Sequence, residues 1–182
     1  VDLAQDDRDE RTAPHFLKQV EETWKLGDPA IDQLLRWAGR LHEIGLDVAH
    51  SGYHRHGAYL LANADMAGFP REEQKLLSIM VGSHRRKPAI EDVGKLAPPW
   101  NARAAAMTLI LRLAVLLHRG RTSVELPPIR LAARPDSMTM CFPAGWLDEH
   151  PLTVADLQAE AEHLKSVDFR LRVTKSVPTA RR

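Results

Sequence analysis

The longest apolar run in the chain, residues 104–117, constrains its fold more than any other feature. A segment this rich in Leu, Ala, Ile and Val must be covered on nearly all sides. It is shorter than the roughly 20 residues a membrane span needs, and it carries Arg112 in its middle. The natural reading is a central core helix over 102–119, ended by Gly120, with other helices packed around it and no membrane partner. Composition agrees. Of 182 residues 44% are hydrophobic and only 5% aromatic, with 10 Gly and 12 Pro, which favours helices and excludes collagen-like, low-complexity and wholly disordered chains. The length suits one large domain, or a helical domain with a small appendage.

Gly and Pro punctuate the rest. Phe16, Val20 and Trp24 form one face of a helix over 14–26 that Gly27 stops. Asp28 and Pro29 suit the cap and first position of a second helix, in which Ile31, Leu34, Leu35, Ala38, Leu41 and Ile44 recur at steps of three and four before Gly45. A third helix is expected over 51–63. A fourth spans 70–83, with Leu76, Leu77, Met80 and Val81 inward. After Gly120 the apolar period changes from 3.6 to 2: Ile129, Leu131 and Ala133 alternate with other residues, residues 138–142 do the same, and so do Phe169, Leu171 and Val173. Thr153 caps a helix to about Lys165. The expected fold is therefore mainly α, a helical domain over 1–122 followed by a small α+β appendage over 123–182, with frayed tails at 1–11 and 177–182.

Charge is uneven along the chain. The net charge is +1, yet residues 84–134 hold 10 basic and 3 acidic side chains, a local +7. Such a block suits an anionic partner, or else a solvated basic face. Nucleic acid is disfavoured because Trp100 is the only aromatic in that segment. The opening residues lack the pattern of a secretory signal. The single cysteine, Cys141, cannot form an internal disulfide, so a reducing cytoplasm is expected.

Five of nine histidines, His42, His50, His54, His56 and His84, fall within one stretch. His42 sits at the buried edge of its helix beside Glu43, His84 extends the inward series of the fourth helix, and His50 and His54 are four apart. Imidazoles on inward faces of neighbouring helices can converge on a metal or a phosphate. The plainer reading is a set of buried histidines satisfied by backbone carbonyls or by carboxylates such as Glu43 or Asp65.

The segments RWAGRLHEIGLDVAHSGYHRHGAYLLANADMAGF, IMVGSHRRK and LILRLAVLLH resemble the C-terminal region of the exopolyphosphatase / guanosine pentaphosphate phosphatase family, with similarity over residues 14–173. The resemblance implies an HD-like helical domain and a small tail domain following actin-like phosphatase domains. Mg²⁺ would then belong to that upstream catalytic portion, and no cofactor is expected in this chain. It also implies a homodimer and, as the parent's activity, release of terminal phosphate from inorganic polyphosphate. Guanosine pentaphosphate is the alternative substrate.

An active HD site needs a helix-borne His, a His-Asp pair and a later Asp around a divalent metal. Here His42-Glu43 stands for the pair, Val115 for the later Asp, and His15 only approximates the first His. The cluster of His42, Glu43, His50, His54, His56, Asp65 and His84 therefore reads as a relic, with no metal and no catalytic residue expected. Val115 also speaks against a free-standing HD-type phosphohydrolase. Glycine loops for nucleotides and nucleophile elbows are absent. What remains for a polyphosphate track is Arg55, Arg85, Arg86, Lys87, Arg119 and Arg121, although cations at helix C-termini also offset the helix dipole. The chain is expected to bind a phosphate chain without hydrolysing it alone.

Overall fold

The computed structural model describes residues 3–86, 93–119 and 126–175, with backbone alone for 3–10. Among these residues five helices form the larger part: α1 (Leu3–Val20), α2 (Pro29–Leu41), α3 (Tyr53–Asn63), α4 (Arg71–Ser83) and α5 (Trp100–His118). The smaller part is β1 (Arg130–Arg134), β2 (Ser137–Phe142), α6 (Trp146–Glu149), α7 (Pro151–Lys165) and β3 (Arg170–Lys175).

Burial on all sides defines α5. Every residue from Met107 to His118 is buried, so the helix has no polar face and must be enclosed by α1, α2 and α4. By length and composition alone it could cross a membrane. Its surface is instead taken up by the other helices, and the buried Arg112 is answered by protein groups.

Several helix ends differ from the sequence reading, among them the start of α7, which lies at Pro151 and not after a Thr153 cap. α1 begins at Leu3, so residues 3–11 are helical and not a frayed tail, and it ends at Val20. The chain then turns, with Lys25 at a φ of 55° and Leu26 N–H donating to Glu21 O at 2.8 Å. This turn frees Trp24 from the helix face, and its Nε1 donates to Arg134 O at 2.8 Å. α2 starts as expected: Asp28 accepts from Ala30 N–H at 3.0 Å and Pro29 occupies the first position. It stops at Leu41, and Ile44–Asp47 forms a separate 3₁₀ turn. Gly45 does more than end a helix, because a Cβ there would lie 1.9 Å from Tyr53 O and 2.5 Å from Gly57 N. Only glycine lets the turn approach α3 this closely.

The sheet has the order β1-β2-β3. β1 and β2 form an antiparallel hairpin, and β3 returns parallel to β2 after α6 and α7. Leu131, Met138, Met140, Phe142 and Leu171 are buried on its inner face. They join one continuous apolar core with α1 and α5. The expected boundary at 122–123 lies outside the described residues. Across it, Gln19 Nε2 donates to Ile129 O at 3.2 Å, and its Oε1 accepts from Leu131 N–H at 2.9 Å.

Candidate functional site

Helix ends carry the histidines. His42 follows the last residue of α2 and His84 the last of α4, where carbonyls lack helical partners. Each ring turns back on its own helix: His42 Nδ1 lies 2.7 Å from Gly39 O and His84 Nδ1 2.6 Å from Val81 O. A carbonyl only accepts, so both Nδ1 atoms carry hydrogen and both Nε2 atoms face away from their helices. His84 Nε2 meets the hydroxyl of Tyr53 at 3.4 Å. The rings of His42 and His84 are 5.2 Å apart and nearly perpendicular, and His54 stands edge-on to His84 at 6.2 Å.

Burial dominates their titration. It holds His84 well below the usual imidazole range, with neighbouring His42 adding to the effect. Burial lowers His42 too, against the opposing pull of Gly39 O and Glu43. His54 is lowered to about 4 by burial and then by the charges of Arg85, Arg55 and Arg86. The cluster is a neutral, packed unit near neutral pH.

Beside it opens a cleft of about 280 Å³ lined by His42, Glu43, Leu46, His50, Tyr53, Arg85, Val115 and Arg119. The guanidinium of Arg85 lies over the Tyr53 ring, 4.9 Å from its centroid. Arg119 pairs with Asp156 at 3.4 Å. Glu43 is mostly buried and lies 4.0 Å from His42 Nε2. These donors do not fit a divalent metal. Val115 offers methyl groups where an active HD site would need a carboxylate, two guanidiniums occupy the walls, and no three metal-ligating side chains converge among the described residues. Arg85, and Arg119 shared with Asp156, present guanidinium donors to the cleft and suit an anion with several oxygens.

The structure divides the predicted cluster. His42, Glu43 and His50 line the cleft, His50 from an exposed position, while His54 and His84 pack behind it. His56, half-buried on α3, is not part of the cleft wall, and Asp65 is exposed beyond the end of α3. Of the predicted cations, Arg85 and Arg119 face the cleft; Arg55 and Arg86 are exposed outside it. Lys87 and Arg121 lie outside the described residues.

Sequence reasoning missed the anchor of this region. Arg112, 1% exposed, donates from Nε to Glu160 Oε1 at 2.6 Å and from Nη2 to Glu160 Oε2 at 2.8 Å. Nη1 donates to Ser83 O, and Nη2 also reaches Arg86 O at 2.6 Å. These two carbonyls bracket His84 and Arg85, so one buried guanidinium fixes the corner of the cleft and ties it to α7. A clue existed: Glu160 falls in the inward series Leu157, Glu160, Leu164, as a partner for the buried arginine of α5 must.

Residues 1–161 match the Ppx/GppA phosphatase, domain III, family. The chain belongs to this family. Similar curated proteins include the guanosine-5'-triphosphate,3'-diphosphate pyrophosphatase of Aeromonas hydrophila subsp. hydrophila, 33% identical over 165 residues, and that of Aeromonas salmonicida, 31% identical over 165 residues. Each alignment covers 91% of this chain and 33% of the relative. The chain thus spans about a third of the length of these relatives. The fold now has a family context: a domain III in which the cleft carries valine at position 115.

Proposed function

We propose that this chain is the non-catalytic C-terminal portion of a phosphoanhydride hydrolase of the exopolyphosphatase type, holding part of the parent's phosphate chain and contributing to dimerisation. The observation that carries the reading is the cleft itself, whose wall Arg85, Arg119 and His50 share with Val115. Guanidinium forks bind phosphate oxygens bidentately, whatever group the phosphate chain is attached to. They bind a polyanion about equally in its ground and transition states, which gives affinity without turnover. Hydrolysis would further need a positioned water, a base and cations on the transferring phosphoryl group. In this reading the upstream actin-like domains supply those, with Mg²⁺, in a cytoplasmic protein.

The activity in the names of the two Aeromonas relatives favours a second reading of the substrate, guanosine 5'-triphosphate 3'-diphosphate in place of inorganic polyphosphate. Both end in phosphoanhydrides, and the cleft's cations serve either.

Calorimetric titration of the chain with tripolyphosphate tests the cleft. Binding should weaken steeply as salt rises towards physiological strength, where the screening length is about 8 Å. An Arg85→Ala, Arg119→Ala variant should bind several-fold more weakly. Unchanged affinity at low salt would exclude the cleft. Phosphate release assayed with Mg²⁺ or Mn²⁺ should be absent, and release abolished by His42→Ala with Glu43→Ala would establish an active HD-like site instead. Competition between polyphosphate and the guanosine nucleotide for the parent enzyme ranks the two substrates.

A further inference from the structure

A second cavity, of about 430 Å³, opens where the helical part meets the tail. Three segments build it: the turn after α1, the first half of α5, and the connection from α7 to β3. α5 contributes Ala102, Ala105, Ala106 and Leu109, which share one helix face, so this wall is nearly flat. Trp24 and Phe169 contribute an aromatic wall, edge-on to each other with ring centroids 6.1 Å apart. Both residues are held in place. Trp24 Nε1 donates to Arg134 O at 2.8 Å, and Phe169 N–H donates to Leu164 O at 3.0 Å. Thr23, Lys25, Ala102, Ala105 and Pro135 are exposed, so the cavity is open to solvent along this rim. The buried part of the lining carries an unanswered polar group. Thr108 is 5% exposed, and its Oγ1 has no hydrogen-bond partner among the described residues. A threonine inside a helix ordinarily returns its hydroxyl to a carbonyl one turn back, and a buried hydroxyl without any partner is rare because it costs stability.

We propose that this cavity binds a small planar aromatic molecule bearing one hydroxyl or carbonyl group, its rings between the alanines of α5 and the Trp24–Phe169 pair and its polar group on Thr108 Oγ1. The volume falls in the range of small-molecule sites, and since an apolar cavity of about 150 Å³ holds one benzene ring, this one has room for two fused rings. Shape selects the planar guest. A helix face of alanines has no long side chain to interrupt a flat ring, and an aromatic wall rewards an aromatic guest beyond the area buried. The threonine selects the polar group, because a hydroxyl both donates and accepts and so answers an alcohol or a carbonyl. No carboxylate lines the cavity. Its charged lining is Lys25 at the rim and Arg112, whose donors are taken by Glu160 and two carbonyls, so a cationic ring finds no counter-ion there. The cavity shares no lining residue with the basic cleft, and the inference stands apart from the phosphate-chain reading.

The test titrates 2-naphthol and naphthalene, which share a ring system and differ by the hydroxyl, into the 182-residue chain. Proton–nitrogen NMR follows the Trp24 indole N–H, identified by its loss in Trp24→Phe. Both probes should shift that signal saturably, with 2-naphthol bound about fivefold more tightly, as one neutral hydrogen bond provides. Thr108→Val should bring 2-naphthol down to the affinity of naphthalene and leave naphthalene unchanged. Ala105→Leu, at an exposed position where the fold has room for a larger side chain, should obstruct the flat wall and abolish saturable binding of both probes. Retained melting transitions show that the variants fold. No saturable shift with 2-naphthol, unchanged binding in Ala105→Leu, or an unchanged preference for 2-naphthol in Thr108→Val each overturns the site. Tighter binding of 1-octanol than of 2-naphthol would assign the cavity to alkyl chains and overturn the aromatic reading. The Arg85→Ala, Arg119→Ala variant should bind 2-naphthol as the parent does, whatever its affinity for tripolyphosphate, which keeps failure of this site distinct from failure of the cleft.

Discussion

Replacing Glu160 with alanine should destabilise this protein more than any other single truncation in the tail. Arg112 and Glu160 are 1% and 4% exposed at their side chains, and two of the guanidinium's hydrogen bonds run to the carboxylate. Without Glu160 the charge of Arg112 stays buried with only the carbonyls of Ser83 and Arg86 to solvate it. Removing one partner of a buried pair costs about 3–5 kcal/mol, because the surviving charge is uncompensated. At about 2–4 °C per kcal/mol for a chain of this size, the melting temperature should fall by roughly 6–20 °C. An Arg112→Met, Glu160→Leu double variant should recover part of this. It removes both charges and restores apolar volume, but the two carbonyls lose a donor, at about 1–3 kcal/mol each if they stay dry. Urea unfolding of the parent, Arg112→Met, Glu160→Leu and the double variant closes the cycle, with Glu160→Ala measured beside it. A Glu160→Ala variant within about 1 kcal/mol of the parent would refute the reasoning, as would a double variant with the summed loss of the singles. The same substitution should weaken tripolyphosphate binding, since the Arg112 carbonyl contacts bracket Arg85.

Acidification should destabilise the fold through the histidines. His42, His54 and His84 are held below their ordinary value in the native state, so the unfolded chain binds more protons in the window between the native and unfolded values. Stability is full above about pH 6.5 and declines towards about 4, the value of His54. Urea midpoints across that range should fall with pH, and a flat profile would contradict the neutral cluster. Val115→Asp should create a carboxylate in the cleft beside His42 and Glu43, so that Mn²⁺ raises the melting temperature of the variant but not of the chelator-treated parent; a parent that responds equally already has a metal site. Gly45→Ala should cost about 2–4 kcal/mol by forcing α3 away, whereas Gly27→Ala, with open space around it, should change stability by well under 1 kcal/mol. Equal effects in chemical denaturation would show that the close approach at Gly45 is not needed.

Periodicity made the helices and strands legible because each local rule agreed with the final packing. Asp28 and Pro29 start α2 as a cap and first-turn pair must, and the switch to period 2 after Gly120 marks the sheet. The misread ends have physical causes. Trp24 keeps helical spacing from Phe16 and Val20, yet a turn at Lys25 aims it at the sheet, a contact 110 residues away in sequence. Ile44 continues the apolar series of α2, but the approach of α3 to Gly45 ends that helix early.

The amino-acid sequence by itself determined the helical core, the strand set, the concentration of histidine and positive charge, and the loss of the carboxylate at Val115, because these follow from residue type and spacing. Only the tertiary structure decided which of those groups meet. It sets His42 edge-on to His84 where two helix ends converge, brings Arg85 and Arg119 to one cleft, sends Asp65 to solvent, and gathers Arg130, Arg134, Arg170 and Arg172 from separate strands onto one face. Charge balance along the chain cannot reveal such a surface, since strand register and chain reversal, not sequence distance, set which side chains are neighbours.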